Sequence, residues 1–262
     1  MKNLILALVA VIVLGAGPAG AGSPCSERAL KQEAFAKASA MALKLRQALD
    51  QSGAKIAIVG RVGSDISEHG LRYTHAGIVQ RDHRKGRWVF VHLLNECGAN
   101  SSSIYDQGLI NFFLDDLFAY DAVIAIPAQA LQDRLDTALN GATVAPLHNP
   151  KYSMIAYPFS TRYQNSNQWM LEILAAAQAG GAVTREAAQK YLKDRGYTPD
   201  IIRISGFKRF GAALFRANVQ FDDHPDSESE NGRYSFVSVR SILRYLEQTG
   251  GMKTRTEIIS QN

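Results

Sequence analysis

The chain has 262 residues, 46% of them hydrophobic and 20% charged, with a formal charge of +5. This composition excludes disordered, collagen-like and low-complexity chains, and the length suffices for a core without metals or dense cross-linking. The basic residues are spread out, which argues against nucleic acid as a partner; their densest group, Arg81, His83, Arg84, Lys85 and Arg87, reads as a solvated turn.

Residues 1–21 read as a signal peptide. Lys2 supplies the positive start, Leu4 to Leu14 an apolar run too short to span a bilayer, and Ala19-Gly20-Ala21 a cleavage site. Lipidation at Cys25 is the rival reading, but Pro24 precedes that cysteine and no aliphatic residue lies three positions before it. No later segment has the apolar length of a membrane span. The expectation is an exported protein, periplasmic or secreted, with residues 22–262 as one domain.

The two cysteines, Cys25 and Cys97, are in that compartment most simply a disulfide. Such a link would close a loop of roughly 70 residues and stabilise by ~4 kcal/mol. The alternative makes Cys97 a nucleophile. Its loop, Asn95 to Asn100, offers no helix start to lower a thiol pKa.

From Ser26 to Gln51, apolar residues at Leu30, Ala34, Ala38, Met41, Leu45 and Leu49 predict an amphipathic helix, ended by Ser52-Gly53. Lys55 to Val62 reads as a strand, as does Leu71 to Gln80. Arg81 to Gly86 is a turn and Arg87 to Leu94 the next strand, so the pair predicts an antiparallel hairpin. Asn95 to Gln107 reads as a polar loop, Leu109 to Phe118 as a short helix, Asp121 to Pro127 as a buried strand, and Ala128 to Leu139 as a helix. Tyr152 to Tyr157 reads as extended.

A helix follows over about 165–178, with Asn165 as N-cap and Gln168 as its capping-box partner. Thr184 to Arg195 is another helix, Pro199 to Ser205 a strand, Phe207 to Phe215 ambiguous, and Ala217 to Phe221 a strand. An acidic loop spans Asp222 to Gly232. Tyr234 to Val239 is a strand, Arg240 to Gln248 a helix, and the chain from about 250 a polar tail. Mixed helices and strands with an antiparallel hairpin predict a single α+β domain.

Nucleophilic chemistry needs a nucleophile, a base in reach, and a group that orients the base. The best base is His75, followed by Ala76 and by Gly77, which permits a close approach. His92 on the neighbouring strand, or Asn95 just beyond it, would orient it. The candidate nucleophile is Ser166, in the first turn of a helix whose unpaired N–H groups, around Asn165 and Asn167, would hold an oxyanion. Each residue also has a purely structural reading: a satisfied strand histidine, and a helix-start serine beside its cap. Asp222, Asp223, His224, Asp226, Glu228 and Glu230 lack an EF-hand spacing and read as a solvated loop rather than a cation site. No phosphate-binding loop, dinucleotide fingerprint, zinc cluster or nucleophile elbow is present, and no cofactor is implied.

The segments Leu71 to Gly77, Val91 to Asn95, Ala156 to Tyr163, Asn165 to Trp169 and Asp222 to Pro225 resemble domain-of-unknown-function family 2145, exported bacterial proteins without an established activity. More distantly, the order is similar to the circularly permuted branch of the NlpC-like, papain-like superfamily. There a His-x-Gly-aliphatic strand comes first, a polar residue on the next strand second, and Asn-Cys at a helix start last. His75-Ala76-Gly77-Ile78, His92 or Asn95, and Asn165-Ser166 match these elements, except that serine stands where that branch has cysteine.

The resemblance implies a permuted papain-like architecture. It also implies hydrolysis or transfer at amide, thioester or ester bonds, often in cell-wall peptides or lipids. Two functions follow as expectations: a serine-dependent hydrolase or acyltransferase, and a non-catalytic binding or envelope-associated protein on the same scaffold.

Overall fold

A computed structural model describes residues 31–115, 117–181, 184–205 and 218–260; the expected signal peptide, Cys25 and the ambiguous segment Phe207 to Phe215 lie outside them. Helix α1 spans Gln32–Ser52, burying the stripe Ala38, Met41, Ala42, Leu45 and Leu49, and it ends at Gly53, whose φ of 67° is left-handed. Strands β1 (Ile56–Val62), β2 (His75–His83), β3 (Gly86–Asn95), β4 (Ser102–Gly108) and β5 (Ala119–Pro127) follow. Then come α2 (Gln129–Asn140), α3 (Ser166–Gln178), α4 (Arg185–Asp194), β6 (Asp200–Arg203), the one-turn helix α5 (Asp226–Ser229), β7 (Arg233–Phe236), α6 (Val239–Gln248) and β8 (Met252–Ile258).

Six strands form one antiparallel sheet in the order β4-β3-β2-β1-β5-β8, and β6 pairs with β7 apart from it. The α+β class and the antiparallel hairpin are as expected. All of β1 is buried, because both faces of the sheet are covered. On one face Ile56, Ile58, Ala76, Ile78, Val91 and Leu93 pack in the core built by α2, α3, α4 and α6. On the other, Ala57, Val59, Val79 and Phe90 pack with α1 and with Phe112 and Phe113 of a 3-10 turn at Asn111–Phe113. Side chains alternate between faces along a strand, so in β2 Ala76 and Ile78 enter the core under α3 and Val79 the other, the face to which His75 also points.

Five expectations are corrected. Asn95 to Gln107 is not a loop throughout: Ser102–Gly108 is β4, paired with β3 from Asn95↔Ser102 to Val89↔Gly108. As an edge strand it carries few apolar residues, so its alternation is faint in the sequence. Among the described residues of Leu109 to Phe118 there is no α-helix, only the three-residue 3-10 turn. Residues 218–221 form no strand. The polar tail is the other edge strand, β8, paired with β5 through Ile124↔Thr256 and its neighbours; its exposed Lys, Arg and Glu are the charges that keep a sheet edge from pairing further. The acidic segment is also more ordered than a solvated loop: Glu228 accepts hydrogen bonds from the Ser235 N–H and hydroxyl at 2.9 and 2.7 Å.

Helix α3 is held by a buried charge. Glu172, fully enclosed, accepts from Arg185 Nε at 2.8 Å and Nη2 at 3.0 Å, from Gln189 Nε2 at 2.8 Å and from Gln164 Nε2 at 2.6 Å. Arg185 also donates to the carbonyls of Thr161 and Tyr163. Burial pushes the Glu172 carboxyl above its ordinary pKa, with Arg185 opposing. The network joins α3, α4 and the segment that leads into α3. Arg185→Met should cost about 3–5 kcal/mol, because it strands a buried charge, whereas the double variant Arg185→Met/Glu172→Met should recover most of that loss. Urea unfolding of the three proteins measures this, and equal stability of single variant and wild type would contradict it.

Candidate functional site

The site begins where β2 begins. Arg61 of β1 is the direct cross-strand neighbour of His75. On the other side of β2, the ladder to β3 starts only at Ile78↔Val91. There the polar groups flanking His75 are taken by α3: Asn167 Oδ1 accepts from the Ala76 N–H at 3.1 Å, and Asn167 Nδ2 donates to the Thr74 carbonyl at 3.1 Å. One side chain thus ties the second residue of α3 to both peptide groups beside the histidine.

The His75 ring lies on the face with His92, Phe90 and Phe112. His75 Nε2 is 2.9 Å from His92 Nδ1, and His92 Nε2 is 3.2 Å from Gln107 Oε1 on β4. Protons are assigned from this network. The Gln107 oxygen can only accept, so His92 carries its proton on Nε2; its Nδ1 then accepts from His75 Nε2–H. That leaves a lone pair on His75 Nδ1, for which the described residues supply no hydrogen-bond partner. Gly77 makes the pairing possible, since a Cβ there would come within 3.0 Å of both His92 Cβ and Phe90 Cδ1. Phe112 closes the face, stacked on Phe90 at 3.8 Å, with its centroid 5.7 Å from His75 and 5.6 Å from His92.

Burial lowers the pKa of both imidazoles. His75 falls well below its ordinary 6.5, through burial first and then the His92 and Arg61 charges. His92 falls to about 4, through burial and then Arg61. Both rings are neutral at neutral pH.

At the start of α3 the capping box forms as expected: Asn165 Oδ1 accepts from the Gln168 N–H at 2.7 Å, and Gln168 Oε1 accepts from the Asn165 N–H at 3.4 Å. Among the described residues no acceptor bonds the N–H groups of Ser166 and Asn167, which carry the positive end of the helix dipole. No hydrogen bond joins Ser166 to His75. The Ser166 hydroxyl lies against Tyr152, whose phenol is pushed up by burial and held back by Ser166.

The structure therefore brings together His75 and His92, while Asn167 ties the first turn that carries Ser166 only to the backbone beside His75, whose ring lies on the sheet face opposite α3. Asn95 stands apart. It donates to the carbonyls of Ala99 and Ser101 and accepts from Asn218, so it organises its own loop, and the group that orients His75 is His92. Cys97 is not a free thiol, which removes it as a nucleophile; its expected partner Cys25 lies outside the described residues.

Sequence reasoning missed Arg61, Gln107, Phe112 and Asp115. The signal for Arg61 was present: it is a charge inside the apolar run Ile56-Ala57-Ile58-Val59-Gly60-Arg61-Val62. Gln107 and Asp115 carry no such signal, because their role depends on pairings distant in sequence. Among the described residues no group of three or more His, Cys, Asp or Glu is placed to hold a metal ion, and no helix is long and apolar enough to cross a membrane.

Fold and site together define an α+β protein with a polarised His–His–Gln chain beside a capped helix start. The chain belongs to the family described as "Uncharacterized protein conserved in bacteria (DUF2145)", which it matches over residues 48–246. No curated protein and no solved structure matches it.

Both histidines take up protons more readily in the unfolded chain, so acid favours unfolding. Their contribution is constant above pH ~7 and falls as pH drops through 6.5; for His92 it falls until about 4. That shift corresponds to roughly 3 kcal/mol for His92. Urea midpoints between pH 4 and 7 should slope more steeply for the wild type than for His92→Gln, and parallel slopes would refute the neutral pairing.

Proposed function

We propose that the protein acts after export as a serine-dependent hydrolase or acyltransferase on a permuted papain-like scaffold, cutting or transferring at amide or ester bonds of a cell-wall peptide or lipid. The observation that supports the reading is the tie that Asn167 makes between the helix start carrying Ser166 and the peptide groups on either side of His75, a histidine whose tautomer is oriented by His92 and Gln107.

In this mechanism the start of β2 turns the His75 ring from the Phe112 face of the sheet to the α3 face, where its Nδ1 meets the Ser166 hydroxyl. Oγ attacks the carbonyl carbon as its proton passes to Nδ1. The N–H groups of Ser166 and Asn167 receive the oxyanion. Collapse of the tetrahedral intermediate expels the amine or alcohol, which takes the proton back from His75. Water, or an acceptor hydroxyl or amine, then releases the acyl group by the reverse sequence. His92 and Gln107 set the ring's tautomer before it turns. The burial that lowers the histidine pKa values keeps the base unprotonated at neutral pH, and it also disfavours the imidazolium that the reaction must form, so slow turnover is expected.

A second reading, a non-catalytic binding protein, is favoured by the resting geometry: the Ser166 hydroxyl lies against Tyr152, and the His75 ring lies on the opposite face of the sheet. Turnover of a panel of amide and ester substrates separates the two. Under the hydrolase reading Ser166→Ala and His75→Ala each lower kcat/KM by about 10²–10⁴-fold. A wild type inert across the panel, or activity that survives Ser166→Ala, moves the protein to the binding reading.

A further inference from the structure

Arg61 is the one charged residue of β1, and it is 6% exposed. A guanidinium carries five N–H donors in a planar fork. Here Nη2 meets the Asp115 carboxylate, while Nε and Nη1 are sealed from solvent without a hydrogen-bond partner among the described residues. The guanidinium lies 5.0 Å over the Phe112 ring and beside His75. No hydrogen bond joins it to His75 or His92, whose relay nitrogens bond each other and Gln107.

Leaving donors of a buried charge unmatched costs more than leaving neutral ones, and an apolar residue at this point of an otherwise apolar strand would avoid the cost. Asp115 supplies the other half of the argument. Its side chain is 64% exposed, so the carboxylate reaches a buried cation from the solvent side. An anionic oxygen from outside thus already touches this guanidinium.

We propose that Arg61 is an anion receptor: a carboxylate or phosphate group of the bound molecule displaces Asp115 and takes the guanidinium fork, Nη2 with Nε or with Nη1, against the His75–His92 pair. The inference deepens the reading of the His75 face as the ligand site, and it narrows the substrate class to molecules that carry such a group near the reacting bond. Planar two-oxygen anions suit an arginine fork, which a lysine would not match.

The test is a titration of the mature protein with inorganic phosphate and, separately, with acetate, followed through the imidazole resonances of His75 and His92. Saturable shifts with one of the two are expected, and which one responds identifies the class. Asp115→Asn should tighten binding by about fivefold or more, because it removes the internal competitor. Arg61→Gln should abolish the shifts, and Arg61→Lys should weaken binding. Ser166→Ala should bind as the wild type does, so anion binding stands or falls separately from serine catalysis. Asp115→Asn, at a solvent-facing carboxylate, carries the decision if Arg61→Gln fails to fold. Absence of saturable shifts in both wild type and Asp115→Asn, or an unchanged or weaker affinity in Asp115→Asn, overturns the proposal.

Discussion

The side chain of Asn167 is the link on which the site depends. It accepts from Ala76 and donates to Thr74, so the peptide groups on either side of His75 are satisfied by a residue more than ninety positions away. These groups lie where β3 has parted from β2 and would otherwise be buried without partners, which costs about 1–3 kcal/mol each. The opening between the strands and the docking of α3 are therefore one structural event. The far side of α3 is fixed by Glu172 and its four donors. With both ends of its first two turns held, the helix start has little freedom to drift from the histidine strand.

The sheet separates two kinds of environment. One face is an apolar core under α3 and α6. The other carries the imidazole pair, Phe112 and the Arg61 cation. Burial, reinforced by the Arg61 charge, keeps both histidines neutral, which sets the tautomer chain but works against a cationic intermediate. That tension is physical: the arrangement favours an unprotonated base and the binding of anions more strongly than it favours proton uptake. A ligand that brings a negative group to Arg61 would relax it, because the guanidinium would then be screened from the imidazoles.

Elements with strong local signals were legible in the sequence. The α3 cap at Asn165 with Gln168 follows from residue types three apart. The Thr184 cap of α4 and the stop of α1 at Gly53 are equally local. The β2–β3 hairpin and the buried β5 announce themselves by apolar content. The two edge strands did not: β4 is largely polar and β8 carries its charges outward, so neither shows the pattern by which strands are recognised. At the site, His75 and His92 could be picked out by type and neighbourhood, and Gly77 by the close approach it permits. Asn95 was an equal candidate to His92, because nothing local distinguishes a side chain that turns toward the base from one that turns toward its own loop.

The sequence by itself determined the local elements, the core stripes and the residue types available for chemistry, since these depend on spacing over a few positions. Only the tertiary structure decided which of them meet. It set the face on which His75 points, the choice of His92 and Gln107 as its partners, the anchoring of α3 by Asn167, and the burial of Arg61 with two unmatched donors. The reason is that strand register and helix docking are fixed by the whole core at once. A hydrogen bond between residues 17 or 91 positions apart leaves no periodic trace in the chain.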